Sequence, residues 1–242
     1  MRIAASQSQP SPKPKHEPIT DRRLIPPLES GDRLTRAEFE RRYSAMPQIK
    51  KAELIEGIVY MPSPVRLKHH GQPHARLTGW LIHYESKTPG VLTGDNSTAR
   101  LDDENEPQPD VMLLIPKQAG GATKIDDDDY VSGAPDFVGE VAASTVNIDL
   151  HFKLEAYRRN GVKEYLVWRT EDAAIDWFIL RDGQYQPLPT GEDGITRSET
   201  FPGLWLDPAA MLKGELTRVF QVVDQGVSQE AHAAFVRRLA GA

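Results

Sequence analysis

The sequence predicts a mixed α/β (α+β) fold: a central β-sheet flanked by helices, with an N-terminal hairpin and C-terminal helices. Three apolar runs, Val111 to Ile115, Phe137 to Val141 and Tyr165 to Trp168, have the length and composition of buried strands. A helical pattern from about Asp149 to Asn160 separates the last two. A second helical period, from His69 to Tyr84, has an apolar face suited to covering such a sheet.

Residues 1–27 are rich in Ser, Pro, Lys and Gln and lack any apolar period, so burial cannot offset their backbone entropy. A disordered arm is expected there. Thr35, with Glu38 three residues on, has capping-box spacing and opens a short helix carrying Phe39 and Tyr43. Ala52 to Ile55 and Ile58 to Met61 flank Glu56-Gly57 as the strands of a hairpin, ended by Pro62 and Pro64. In the segment His69 to Tyr84, Leu77, Trp80, Leu81 and Tyr84 recur at helical spacing, and Pro73 is tolerated in the first turn. Gly161 is a stop signal for the helix before it. Ile175 to Leu180 reads as a strand turning at Asp182-Gly183 into a partner at Tyr185. Pro208 to Leu212 and Ser228 to Leu239 read as helices docked on the core. The expected division is an arm over 1–27, a catalytic-size domain over 28–190 and a docked extension over 191–242.

Composition narrows the function. With 39% hydrophobic and 26% charged residues the chain has a soluble globular balance. No stretch approaches the roughly 18 consecutive apolar residues of a membrane helix, and Met1 to Lys15 lacks a signal-peptide core. No membrane association and a cytoplasmic location are therefore expected. There are no cysteines, so a bound metal must use oxygen or histidine ligands, which points to Mg²⁺ or Mn²⁺. A net charge of −6 opposes an extended grip on nucleic acid. The charge is uneven, however, with acid runs at Asp102 to Glu106 and Asp126 to Asp129, the latter expected as a solvated turn, and bases at Arg66 and Lys68.

Asp110 stands just before one apolar run and Glu140 inside another, where a carboxylate is costly unless paired or bound to metal. Leu150, Lys153, Leu154 and Tyr157 form the inward stripe of the helix after Glu140, so Lys153 requires an anionic partner. Together they match phosphodiester hydrolysis, which needs a metal and a cation for the developing charge. The same residues also fit a solvated loop acid at Asp110, a structural ion pair between Glu140 and Lys153, or a snorkelling lysine.

Several blocks occur in order: Ala-Glu-Leu-Ile-Glu-Gly (52 to 57), Met-Pro-Ser-Pro (61 to 64), Gln-Pro-Asp (108 to 110), Gly-Ala-Pro-Asp-Phe-Val-Gly-Glu-Val (133 to 141), and Asp149 through Lys153 to Gly161-Val162-Lys163-Glu164-Tyr165. With these blocks the chain, from about Gly31 to Leu180, resembles the Uma-two family of restriction-endonuclease-like proteins in the PD-(D/E)XK nuclease superfamily. The resemblance implies that the fold is restriction-endonuclease-like, that Asp110 and Glu140 are metal ligands, and that Lys153 is the catalytic lysine, moved onto the helix. Ala142 occupies the usual lysine position, and the proline that commonly follows the glutamate is missing from Ala142-Ala143-Ser144-Thr145. Glu53 matches an early family glutamate and either completes the metal shell through a water or is an exposed hairpin acid. Of His69, His70 and His74, only His70 is implied near the cleft, as a phosphate contact, since carboxylate-rich magnesium sites rarely recruit imidazole. The implied function is metal-dependent endonuclease cleavage of nucleic acid, DNA in the first instance, by a homodimer. The alternative is a catalytically inactive nuclease-fold module for binding or dimerisation.

Overall fold

The computed structural model describes residues 25–61 and 64–241. The expected arm lies outside the described residues as far as residue 24, and so does Pro62. Helix α1 (Arg36–Ser44) starts where the sequence places it, but the capping box does not form. The Thr35 side chain makes no cap hydrogen bond, and Glu38 instead accepts from Arg41 Nε and Arg42 Nε, each at 2.7 Å. Two guanidiniums outcompete a single backbone amide for that carboxylate.

Strands β1 (Glu53–Ile55) and β2 (Ile58–Tyr60) form the hairpin. Its turn residues Glu56 and Gly57 have φ of 52° and 70°, the left-handed pair that a two-residue hairpin turn requires. A glutamate is an unusual occupant. Here its carboxylate takes two hydrogen bonds from Arg159, at 2.7 and 2.8 Å.

Helix α2 (Gln72–Glu85) is preceded by a π-helical turn over Leu67–Gly71. The central sheet contains β3 (Leu92–Asp95), β5 (Val111–Leu114), β8 (Phe137–Ala142), β9 (Glu164–Arg169), β10 (Ala174–Arg181) and β11 (Gln184–Pro187). Its order is β11-β10-β9-β8-β5-β3, parallel only between β8 and β9. The crossover between those two consists of a π-helical turn over Ile148–Lys153 running into α3 (Leu154–Asn160). Three short strands, β4 (Ala99–Arg100), β6 (Lys124–Ile125) and β7 (Val131–Ser132), form a separate small sheet. The Asp126 to Asp129 run is the turn between β6 and β7, with Asp126 accepting the amides of Asp128 and Tyr130.

Side chains alternate across the sheet. Along β8, Phe137 and Val141 face a core shared with Trp80, Trp177, Leu204, Met211 and Val219. Val138 and Ala142 face the opposite side, with Tyr157, Tyr165 and Val167. Glu140 shares that second face by its position in the alternation. The C-terminal elements β12 (Thr196–Arg197), β13 (Trp205–Leu206), α4 (Pro208–Lys213), α5 (Leu216–Val227) and α6 (Glu230–Ala240) add to the first core. Buried Glu164 ties them to the sheet by accepting from Trp177 Nε1, Ser198 Oγ and the amides of Glu199 and Thr200.

Gly139 pairs with Val111 across the β5–β8 ladder. A Cβ there would stand 2.8 Å from Val111 Cγ2. Gly139→Ala is expected to wedge the two strands and destabilise the fold by about 1–3 kcal/mol in urea denaturation; no change would show that the ladder absorbs the methyl.

Glu106 is buried beside the hairpin, and its Oε2 has no hydrogen-bond partner among the described residues. Burial, reinforced by the Glu40 carboxylate, pushes its carboxyl up to about 8. A carboxyl raised on folding holds its proton longer in the folded state than in the unfolded chain. Its contribution is therefore complete at acid pH and is lost as pH rises from about 4.3 towards 8. Stability is expected to fall by a few kcal/mol, on the order of the linkage energy, across that window. In Glu106→Gln the slope should flatten; an unchanged slope in denaturation at pH 5, 7 and 9 would contradict the assignment.

Candidate active site

The register pairs Met112 with Val138 and Val111 with Gly139, so one further step sets Asp110 opposite Glu140. Both side chains are buried. Asp110 Oδ2 accepts the Val141 amide at 2.8 Å, which ties the acid at the head of β5 to the strand carrying Glu140. His70 Nε2 lies 3.2 Å from the same oxygen. Burial works to raise the Asp110 carboxyl, but the hydrogen bond and charge of His70, the Val141 amide and the Lys153 ammonium hold it at about 2.

Lys153 enters from the helical crossover with its side chain only 6% exposed. Its Nζ lies 3.0 Å from Glu140 Oε1, 3.0 Å from Glu53 Oε1 and 3.8 Å from Asp149 Oδ1. Burial alone would lower the lysine, yet Glu140, Glu53 and Asp149 keep it charged, well above its ordinary value. Glu140 moves the other way: burial pushes it up to about 8 against the pull of Lys153, and repulsion from Asp110, Asp149 and Glu53 adds to the rise. Tyr157 donates its hydroxyl to Glu140 Oε1 at 2.9 Å.

Glu53 is 7% exposed, so it is not the exposed hairpin acid allowed for by the sequence. Its Oε1 also accepts the Gln108 amide at 2.7 Å, joining the hairpin to the Gln108-Pro109-Asp110 segment. The solvated-loop reading of Asp110 and the snorkelling reading of Lys153 are likewise ruled out by burial.

All five residues singled out by the sequence, Glu53, His70, Asp110, Glu140 and Lys153, are thus brought together. Sequence reasoning missed Asp149 as a member. It is buried, accepts from Thr145 Oγ1 at 2.6 Å, and sits one helical step (i, i+4) before Lys153, a spacing that was visible. His74 was also passed over: its Nε2 lies 2.9 Å from the Asp110 carbonyl oxygen and 2.7 Å from Asp95 Oδ1. Both π-helical turns deliver site residues, His70 from one and Asp149 and Lys153 from the other, in keeping with the use of such widened turns at functional sites.

Among the described residues, no three His, Asp or Glu side chains are grouped to hold an ion by themselves. The donor set nevertheless fits a hard cation that keeps several waters and takes one or two carboxylates. Glu53 Oε1, Glu140 Oε1 and Asp110 Oδ2 face protein donors. The second oxygen of each accepts no hydrogen bond among the described residues. Three buried carboxylates around one ammonium, with buried Asp110 as a fourth acid beside them, leave an excess of negative charge that a divalent cation would balance.

The chain is similar in structure to "a putative nuclease belonging to DUF820" from Anabaena variabilis, with a TM-score of 0.51 and 10% sequence identity over 76% of this chain and 97% of that one. At that identity the likeness shows the fold alone, a mixed sheet flanked by helices. No curated protein matches the chain. No helix among the described residues is long and apolar enough to cross a membrane. The Uma2 family model, described as "Putative restriction endonuclease", matches residues 36–209, well over half of the sequence, and the chain belongs to that family.

Proposed function

We propose that the chain is a divalent-metal-dependent endonuclease that hydrolyses phosphodiester bonds of nucleic acid, DNA in the first instance. The observation that carries this reading is the gathering of buried Glu53, Glu140 and Asp149 around the single ammonium of Lys153, with buried Asp110 tied to the strand of Glu140 beside them. In this reading Asp110 and Glu140 hold Mg²⁺ or Mn²⁺, with Glu53 completing the shell through a water. Such an ion, when bound, polarises a phosphoryl oxygen and lowers the pKa of water.

The protein's own groups do the remaining work. His70 and the Val141 amide keep Asp110 ionised. Tyr157 fixes one oxygen of Glu140 and leaves the other for a ligand. Lys153, held charged, stands ready to orient the attacking water or to meet the charge that develops on the phosphoryl group. His70, half-buried at the edge of the site, is the contact for a substrate phosphate.

A second reading, a nuclease-fold binding module without activity, draws on the closeness of Lys153 to Glu53 and Glu140, an arrangement that also suits a purely structural ion pair. Cleavage of supercoiled plasmid and single-stranded DNA in manganese separates the two. The enzyme reading expects cleavage by the parent chain and none by Asp110→Asn; no cleavage by the parent favours the module, and equal cleavage by both would remove Asp110 from the active site.

A further inference from the structure

Two basic side chains approach Asp110 from the rim of the site and come from different elements. Lys51, just before β1, has its Nζ 4.0 Å from Asp110 Oδ1 and 3.1 Å from Asn96 Oδ1, which accepts from it. His70 approaches the other oxygen, Oδ2, at 3.2 Å from the opposite arm of the chain. The residues leading to His70 are all exposed and read Val65-Arg66-Leu67-Lys68, an alternation of apolar and basic side chains. Val65 and Leu67 are 65% and 74% exposed, two aliphatic side chains open to solvent two residues apart. Arg66 and Lys68 make no ion pair among the described residues. Phe152, next to Lys153 on the second π-helical turn, is 45% exposed. Three of the seven large exposed hydrophobic side chains among the described residues therefore lie on or beside the two turns that build the site.

Apolar and basic groups in alternation suit a ligand that offers base faces and phosphates together. A single strand does so; a duplex stacks its base faces away and presents chiefly phosphates. A net charge of −6 likewise leaves little for the long basic track of a duplex binder, whereas three local cations suffice for a short stretch of strand. Resting on the nuclease reading above, we propose that the mouth of the site takes single-stranded nucleic acid, with Lys51 holding phosphate on one side of Asp110 and the Val65–Lys68 segment holding phosphates and bases on the other.

The test is fluorescence anisotropy with a labelled single-stranded oligonucleotide and with its duplex, in calcium, across a salt series. The full chain, Lys51→Ala, Arg66→Ala/Lys68→Ala and Leu67→Ser are compared. Single strands should bind more tightly than the duplex, and each variant should weaken that binding several-fold. Arg66→Ala/Lys68→Ala should reduce the salt slope by about 1.4, from two phosphates at about 0.7 each. Duplex bound as tightly as single strand, or variants binding like the parent, would overturn the proposal. Cleavage in manganese is read separately. A parent that cleaves while these substitutions leave binding unchanged defeats this inference alone; a parent that binds single strands as described but cleaves nothing defeats the nuclease reading alone.

Discussion

Lys153→Met is expected to destabilise the fold by about 3–5 kcal/mol and to abolish cleavage. Methionine matches the length of the lysine and keeps the packing of its stem, so the loss isolates the ammonium. Without it, Glu53 and Glu140 face each other through a buried space with no counter-charge, both at 3.0 Å from the missing nitrogen. Urea denaturation reads the stability, and the double variant Glu53→Gln/Lys153→Met should recover part of the loss, because the two sites share one interaction. Parent-like stability in Lys153→Met would mean that the carboxylates do not depend on the lysine for their charge balance.

Glu140→Gln should have the opposite profile, a mild effect on folding and a severe one on activity. The amide oxygen can still accept from Lys153 Nζ and Tyr157 Oη, at positions now 3.0 and 2.9 Å away. What disappears is the carboxylate charge needed by a divalent ion. Loss of several kcal/mol of transition-state stabilisation corresponds to a fall in manganese-dependent cleavage of roughly 10³-fold. Cleavage within about tenfold of the parent, a difference of about 1.4 kcal/mol, would remove Glu140 from the metal shell.

Much of this was legible because the relevant signals are local. Val111 to Ile115, Phe137 to Val141 and Tyr165 to Trp168 are buried on both faces, so their apolar runs are nearly continuous and stand out from their surroundings. The hairpin turn and the helix stop are read from Gly57 and Gly161, which tolerate left-handed φ and have φ of 70° and 83°. Lys153 was visible because a charge on an apolar helical stripe contradicts its neighbours. Other features have no such local mark. Edge strand β3 is Leu-Thr-Gly-Asp, with too little apolar content to announce a strand. The π-helical turns have ordinary helical composition, so only tertiary packing selects them over α-helix. Helix α5 was readable and overlooked: Val219, Val222 and Val223 are buried at i, i+3 and i+4. The expected cap at Thr35 failed because Glu38 found two arginines, a competition that spacing alone does not reveal. Asp149 escaped notice because an aspartate near a helix start reads first as a favourable dipole partner, and only the buried ammonium one turn later makes it part of the site.

In the proposed enzyme Asp110 and Glu140 hold one divalent cation, which balances the excess negative charge of the buried cluster. Calorimetric titration with Mn²⁺ of the parent, Asp110→Asn and Glu140→Gln measures it directly, with circular dichroism confirming that each variant is folded. A single-site binding heat in the parent that is lost in both folded variants is the predicted result. No heat in the parent, or the same heat in either variant, would contradict it.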